Sequence, residues 1–178
     1  SFVWLKRQMD AGTAEKIAAL KIKGVYTRKE YRRQYPEGEA VAQVVGLTNI
    51  DQFGREGIER VYNDTLAGRP GSRRVIKDRL GRVIEDSDIV EPQEGQDVHL
   101  SIDGRMQFMA YQKLRDAVLL HKAASGSIVM LDGQTGEVLA MANYPSYDPN
   151  VRTNIDPVRT RNSSVMDMYE PGSSLKPI

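Results

Sequence analysis

Apolar residues recur at two different periods along this chain, and each period predicts a different element. Over residues 13–22 they recur three or four positions apart, which predicts a short amphipathic helix with Thr13 as its N-cap. The same spacing returns after Asp103 and predicts a longer helix that runs to about Lys122. The apolar stripe of this helix predicts a core-facing side made of Met106, Met109, Ala110, Leu114, Ala117 and Val118.

Alternation with a period of two predicts strands at several places. Residues 25–36 alternate as an exposed strand that stops at Pro36, and residues 97–102 alternate as a strand before the long helix. Two hairpins are predicted from pairs of apolar runs joined by turn residues. Their turns are residues 78–81, between RRVIK and RVIED, and residues 133–136, between GSIVMLD and EVLAMAN.

Glycines divide the middle of the chain into short segments. A helix within residues 39–49 is predicted to end at Gly46, and a second helix is predicted over residues 58–66. The polar stretch SDIVEPQEGQ, residues 87–96, has the composition of a linker. Together these elements predict an α+β fold with a domain boundary near the end of this linker.

Composition and charge exclude several classes of function. The 178 residues carry a formal net charge of +1 and no cysteine, so neither disulfides nor thiolate chemistry is available. Lys and Arg outnumber acidic residues in residues 1–35. This basic segment contains no recognisable nucleic-acid-binding motif, which favours a solvated face or a contact for an acidic partner. No apolar run approaches the roughly 20 residues that a membrane-spanning helix needs.

Metal and nucleotide sites are not predicted. His99 and His121 are the only histidines and lie in unrelated contexts, without the clustered ligands that a metal site requires. The glycines of residues 54–71 are not followed by GK[ST], and no strand leads into a GxGxxG pattern. We therefore expect no cofactor.

The clearest candidate chemistry lies in YEPGSSLKPI, residues 169–178. A Pro-Gly turn precedes Ser173, and a helix that starts there would place Lys176 on the same face. A serine hydroxyl needs a base, and a lysine can be that base if burial or nearby positive charge lowers its pKa. The pattern suits acyl transfer, but chance supplies about half an S-x-x-K in a chain of this composition. A helix-capping serine with a solvated lysine stays open at this point.

Six stretches, taken together, resemble one protein family. In chain order they are GREGIERVYNDTLAGRPG, VIKDRLGRVIED, HLSIDGRMQ, SGSIVMLDGQTGEVLAMANYPSYDPN, RN and YEPGSSLKP. They resemble the class B penicillin-binding proteins, and most closely the cell-division type, the septal peptidoglycan D,D-transpeptidases. The resemblance covers nearly the whole chain in collinear order, which makes it far more specific than S-x-x-K alone.

This resemblance implies domains and residue roles. Residues 1–95 match part of the non-catalytic N-terminal module, a pedestal of the dimerisation type. Residues 96–178 match the opening part of the penicillin-binding transpeptidase domain, whose fold is β-lactamase-like. Ser173 matches the acylated nucleophile and Lys176 its general base, and the Ser173 amide matches one of two oxyanion-hole donors. The family needs neither a metal nor an organic cofactor.

The resemblance also implies substrates, partners and location. The serine of the family attacks the D-Ala-D-Ala carbonyl of a peptidoglycan stem peptide and passes the acyl group to a neighbouring strand's amine. β-Lactam antibiotics mimic that dipeptide and leave a slowly hydrolysed acyl-enzyme. The N-terminal module is implied to contact membrane-embedded division proteins, and nucleic acid is not an implied partner. The implied location is the periplasmic face of the bacterial inner membrane, with a single-pass anchor upstream of this segment.

The sequence also departs from the complete family pattern. The S-x-N and K-T-G motifs, which in the family lie downstream of S-x-x-K, are not in this sequence. We therefore expect a truncated part of a transpeptidase, inactive as a single chain. One alternative is a non-catalytic interaction module of the division machinery in which S-x-x-K is incidental. The other is a penicillin-recognising serine hydrolase or sensor.

Overall fold

A computed structural model of the chain describes residues 2–77 and 83–170. The chain divides into two compact units, Ser1–Gln34 and Tyr35–Ile178. No helix within the described residues is long and apolar enough to cross a membrane.

Among its described residues, the first unit contains one helix, α1, Ala11–Ala19. The helix predicted at 13–22 begins two residues earlier because Asp10, not Thr13, is the N-cap, and its carboxylate accepts from the Thr13 amide at 2.8 Å. An ion pair of 2.9 Å joins Arg7 to Glu30. The strand predicted over residues 25–36 is wrong, since this segment is irregular and pairs with no other strand among the described residues.

The second unit opens with short helical segments. A 3₁₀ turn, Gly38–Ala40, leads into α2, Ala42–Val45, and Gly46 ends α2 as predicted. The helix predicted over residues 58–66 is instead two helices with Tyr62 between them. They are α3, Gly57–Val61, and α4, Asn63–Ala67.

An antiparallel hairpin follows, made of β1, Ser72–Lys77, and β2, Val83–Val90. Both predicted strands are confirmed, and the predicted turn at residues 78–81 lies outside the described residues. β2 takes in the first part of the predicted linker, because its backbone pairs with β1. In the rest of that predicted linker, residues 91–96, Gln93 forms reciprocal backbone hydrogen bonds with Arg69.

The long predicted helix is confirmed as α5, Gly104–His121. Asp103 caps it by accepting from the amides of Arg105 and Met106, each at 2.9 Å. The strand predicted over residues 97–102 is wrong. This segment is not a strand in the described structure, although the Ser101 hydroxyl donates to the Val138 carbonyl of β4 at 2.7 Å. Just after the segment, the Asp103 amide donates to the Leu139 carbonyl at 2.9 Å.

The second hairpin is confirmed as β3, Gly126–Leu131, and β4, Val138–Tyr144, paired antiparallel. Helix α5 packs on this hairpin and forms the main core of the unit. A side chain on Gly126 would meet Leu114 at 2.8 Å and Val118 at 2.9 Å, which shows how closely the helix lies on the strand.

The predicted apolar stripe of α5 is partly wrong. Met106, Met109 and Ala117 are exposed, because the face that meets the hairpin is rotated away from them. The buried residues of α5 are Gln107, Ala110, Tyr111, Leu114 and Val118.

Two short helices close the described chain. They are α6, Pro157–Thr160, and α7, Ser163–Met166. The described strands pair as two antiparallel hairpins and not as parallel strands joined by crossover helices, so the predicted α+β class is confirmed.

Candidate active site

The predicted catalytic pair, Ser173 and Lys176, lies in residues 171–178, outside the described residues. Their mutual geometry is therefore not described, and the nucleophile and base roles stay predictions. What the structure does show is the segment that leads to them, residues 157–170, and how the fold holds it.

Asn143, near the end of β4, holds α7. Its side-chain oxygen accepts from the Ser164 amide at 2.9 Å, the Ser164 hydroxyl at 2.7 Å and the Ser127 hydroxyl at 2.8 Å. Asn143 is only 3% exposed, so these bonds are made away from bulk water. A buried amide with three converging donors fixes the start of α7 against the β3–β4 hairpin.

Asn162 completes this arrangement from the residue just before α7. The Asn143 amide nitrogen donates to the Asn162 side-chain oxygen at 2.9 Å, and the Asn162 amide nitrogen lies 3.2 Å from the Met141 sulfur. Asn162 stands at the N-cap position but makes no capping bond of its own. Asn143 of the neighbouring strand β4 provides the cap instead, by accepting from the Ser164 amide, and this hydrogen bond attaches α7 to the β3–β4 hairpin.

A second buried amide, Gln43 of α2, holds α6. Its nitrogen donates to the Arg159 carbonyl at 3.1 Å and to the Pro145 carbonyl at 3.4 Å. The Ser146 hydroxyl lies 3.1 Å from the Gln43 side-chain oxygen and 2.8 Å from the Glu39 carbonyl oxygen, so its single proton is shared between these two acceptors. Residues 157–166 are therefore held at two points, by α2 and by β4.

Gln107 joins α5 to the 3₁₀ turn and to β4. Its amide nitrogen donates to the Ala40 carbonyl at 2.6 Å and to the Met141 carbonyl at 2.9 Å, and its oxygen accepts from the Met141 amide at 2.7 Å. One turn further along, the Tyr111 hydroxyl donates to the Glu39 carboxylate at 2.6 Å. Burial, reinforced by this bond to Glu39, raises the pKa of Tyr111.

Residues 35–49 are bound to the turn after β4 by further hydrogen bonds. The Asn150 side chain accepts from the Tyr35 amide at 3.0 Å and donates to the Tyr35 carbonyl at 2.9 Å. The Tyr147 hydroxyl donates to the Ala42 carbonyl at 3.0 Å. Burial raises the pKa of both Tyr35 and Tyr147.

These buried side chains hydrogen-bond the backbone and side chains of neighbouring elements, and two of them, Asn143 and Gln43, hold residues 157–166. Sequence reasoning missed all of them as site residues. A signal was present for two: Gln107 interrupts an apolar helix face, and Asn143 interrupts an apolar strand. Among the described residues, no group of three or more His, Cys, Asp or Glu side chains could hold a metal ion.

Two domain families match the chain. The Penicillin-binding Protein dimerisation domain matches residues 1–100, and the Penicillin binding protein transpeptidase domain matches residues 126–178. Ser173 and Lys176 fall within the second match. The predicted division into 1–95 and 96–178 stays a prediction.

Similar curated proteins are peptidoglycan D,D-transpeptidases. The chain is 46% identical over 177 residues to Peptidoglycan D,D-transpeptidase FtsI of Escherichia coli K12, covering 99% of this chain and 30% of that protein. It is 44% identical over 180 residues to Probable peptidoglycan D,D-transpeptidase PenA of Neisseria gonorrhoeae, covering 99% and 31%. The chain thus spans about 30% of the length of these relatives.

Solved structures show the same relationship. Penicillin binding protein 3 of Mycobacterium tuberculosis is similar with a TM-score of 0.67 and 35% identity, over 80% of this chain and 29% of that one. A peptidoglycan synthetase from Bifidobacterium adolescentis is similar with a TM-score of 0.67 and 27% identity, over 96% and 31%. The family resemblance seen in the sequence is confirmed: this chain belongs to the penicillin-binding proteins and carries their dimerisation domain followed by the start of their transpeptidase domain.

Proposed function

We propose that this chain is part of a serine-type peptidoglycan D,D-transpeptidase that cross-links stem peptides during septal cell-wall synthesis. The observation that carries the proposal is the transpeptidase-domain match over residues 126–178, which contains both Ser173 and Lys176. The relatives that match along the chain are named peptidoglycan D,D-transpeptidases, which supports the same reaction.

The proposed reaction is acyl transfer through Ser173. Lys176, in its neutral form, takes the hydroxyl proton as the serine oxygen bonds to the D-Ala-D-Ala carbonyl carbon. The Ser173 amide donates to the oxygen that becomes negatively charged. The bond to the terminal D-Ala then breaks, and that residue leaves with a proton. The amine of a neighbouring stem peptide attacks the acyl-enzyme, forms the cross-link and releases Ser173.

β-Lactam antibiotics are the proposed inhibitors of the same serine. Attack on the ring carbonyl opens the ring, so the leaving nitrogen stays attached to the acyl group and blocks the acceptor. The S-x-N and K-T-G segments supplied by a longer chain complete the proposed pocket. The 178 residues alone are therefore expected to be inactive.

The test is acylation of the full-length protein by a fluorescent penicillin, followed by intact mass and peptide mapping. We expect one adduct, on Ser173, and no adduct in Ser173→Ala. Lys176→Ala should slow acylation by about 10²–10⁴-fold, which is the usual contribution of a general base.

The matched control is the adjacent serine. Ser174→Ala should be labelled like the wild type, because only one serine of the motif is the proposed nucleophile. An adduct mapped to a residue other than Ser173, or a full-length protein that is never labelled, would show that the proposal is wrong. A chain of residues 1–178, treated in parallel, should give no adduct.

The non-catalytic alternative is not favoured, because the transpeptidase domain matches the segment that contains S-x-x-K. The dimerisation-domain match over residues 1–100 likewise argues against a lone hydrolase or sensor.

We also propose that the N-terminal module contacts membrane-embedded division proteins, and that the protein is anchored in the inner membrane and faces the periplasm. Phe2, Val3 and Leu5 are each more than 70% exposed in the described structure, and Arg7 lies over the Trp4 ring at 5.0 Å. Leu5→Ser should weaken co-purification with those partners, and Leu120→Ser, at a 77% exposed position of α5, should not.

A further inference from the structure

Charge is divided unevenly between the two units of the chain. Residues 1–34 carry nine Lys and Arg residues and three acidic residues, a formal net charge of +6. Residues 35–178 carry the other 16 of the 25 basic residues and 21 of the 24 acidic residues, a formal net charge of −5. Opposite signs in two parts of one chain indicate that the basic part contacts an anionic partner.

The basic unit also exposes large apolar side chains. None of the described residues 2–34 is buried, and this includes every residue of α1. Leu20, Ile22, Tyr26 and Tyr31 are each more than half exposed. Exposed apolar side chains that cluster along one stretch of chain, with no core beneath them, are typical of a contact surface.

Basic residues alternate with these apolar residues along residues 20–31, which we call the apolar–basic stretch. They are exposed as well, and they are Lys21, Lys23, Arg28 and Lys29. The Lys29 ammonium lies 5.2 Å from the centre of the Tyr31 ring, so a cation and an aromatic ring are presented together. Glu30 is the one acidic residue of the stretch, and its carboxylate is bound to the Arg7 guanidinium at 3.0 Å and the Gln8 amide at 3.2 Å.

We propose that the apolar–basic stretch docks on an anionic phospholipid surface. Each Lys or Arg near such a surface strengthens binding by about fivefold. Tyrosine and aliphatic side chains enter the layer between headgroups and hydrocarbon, where a ring can be buried while its hydroxyl stays hydrated. An acidic protein would complement the charge of the stretch, whereas a bilayer surface complements its charge and its apolar side chains together.

This inference goes beyond the proposed function, because it concerns lipid and needs neither acylation at Ser173 nor a protein partner. The test is co-sedimentation of the full 178-residue chain with two kinds of vesicle. One kind contains phosphatidylcholine alone, and the other contains equal parts of phosphatidylcholine and phosphatidylglycerol. We expect a partition coefficient about 100-fold higher on the anionic vesicles. This preference should shrink as salt is added, because salt screens exposed charges.

Three charges of the stretch are removed together in Lys21→Gln/Lys23→Gln/Arg28→Gln. This variant should lower the partition coefficient on anionic vesicles by about 100-fold. The residues are exposed, so the variant is expected to fold, and circular dichroism checks that it does.

The matched control is Arg105→Gln/Lys113→Gln/Lys122→Gln, which removes three exposed charges from α5 and its C-cap in the second unit. It has the same net charge as the first triple variant and should bind within about threefold of the wild type, because these positions lie outside the proposed surface. Tyr26→Ser changes no charge and should lower the partition coefficient by about threefold or more.

Equal partition onto neutral and anionic vesicles, or equal losses in the two triple variants, would overturn the proposal. Soluble polyglutamate provides the comparison with an acidic polypeptide. If polyglutamate binds the chain as tightly as the anionic vesicles do, and Tyr26→Ser weakens neither, the stretch recognises acidic charge alone and the lipid surface is refuted. Because the vesicles contain no protein, their failure to bind is distinguishable from a failure of the proposed contact with division proteins, which Leu5→Ser tests.

Discussion

Individual buried carboxamide side chains join separate elements of this fold through hydrogen bonds. Gln107 is fully buried, and its side chain bonds both the amide and the carbonyl of Met141 in β4. A neighbouring β-strand would form the same two hydrogen bonds with the backbone amide and carbonyl of Met141. At this point on the edge of β4, the Gln107 carboxamide therefore takes the place of a paired strand. Its second acceptor, the Ala40 carbonyl, brings the 3₁₀ turn into the same contact.

Gln107→Leu should lower the free energy of unfolding by about 2–4 kcal/mol, although the two side chains are similar in volume. The leucine leaves the Met141 amide and two buried carbonyls without their partner. Urea denaturation of the full-length protein measures the change. Gln112→Leu, at a half-buried position of the same helix, should change stability by less than about 0.5 kcal/mol. Equal losses in the two variants would contradict the cross-linking role.

At the scale of elements, glycines set how closely α2 and α3 approach. Gly46 and Gly57 have φ values of 83° and 58°, which a residue with a side chain adopts at a cost. The φ of Gly54 lies outside the left-handed region, but a Cβ there would lie 1.9 Å from the Glu59 carbonyl oxygen. The glycine spacing that resembles the family pattern is therefore a packing requirement in this structure.

Gly54→Ala should destabilise the full-length protein by about 3 kcal/mol or more, because backbone atoms on both sides must move to admit the methyl group. Thermal unfolding measures the effect. Gly133→Ala is the matched control, since nothing lies within 4 Å of its Cβ position. A melting temperature of Gly54→Ala close to that of the control would refute the close approach.

At the scale of the whole second unit, packing does not follow chain order. Ala40 lies in the same apolar core as α5 and β4, and Gln43 and Tyr35 bond the turn after β4. Residues 35–49 fall within the dimerisation-domain match, β4 and the turn after it fall within the transpeptidase match, and α5 lies between the two matches. The two family domains therefore share one core in this unit.

This shared core predicts a loss of stability at alkaline pH. Burial raises the pKa of Tyr35, Tyr111 and Tyr147 above the ordinary value of 10.0. Above about pH 10 the unfolded chain loses these protons while the folded protein keeps them. The unfolded state then binds fewer protons, so the free energy of unfolding falls as pH rises from about 10 towards the folded values. Below about pH 10 both states are neutral at these groups and this contribution is constant.

Urea denaturation between about pH 9 and about pH 11.5 checks this expectation. Tyr111→Phe should make the fall with pH shallower, because one of the buried phenols is gone. Tyr26→Phe removes a phenol that is 88% exposed and should leave the slope as it is. An unchanged slope in Tyr111→Phe would mean that its burial does not control the alkaline transition.

Local sequence signals predicted several elements well. The sequence predicts helix α5 with its cap Asp103, and the β3–β4 hairpin with its turn. These predictions succeed because capping residues, turn glycines and the spacing of apolar residues are all signals that lie within a few residues of each other. The strands predicted over residues 25–36 and 97–102 were wrong for the opposite reason. Alternation is local, but a strand exists only where a second strand pairs with it.

The sequence alone determined the α+β class, the family and the location of the proposed nucleophile and base in the chain, since these depend on composition, period and collinear motifs. Tertiary structure decided which side chains hold the segment before Ser173. Asn143, Gln43 and Gln107 contact residues 16 to 116 positions away in the chain. Hydrogen bonds between such distant residues leave no periodic pattern in sequence, and only the folded packing brings the partners together.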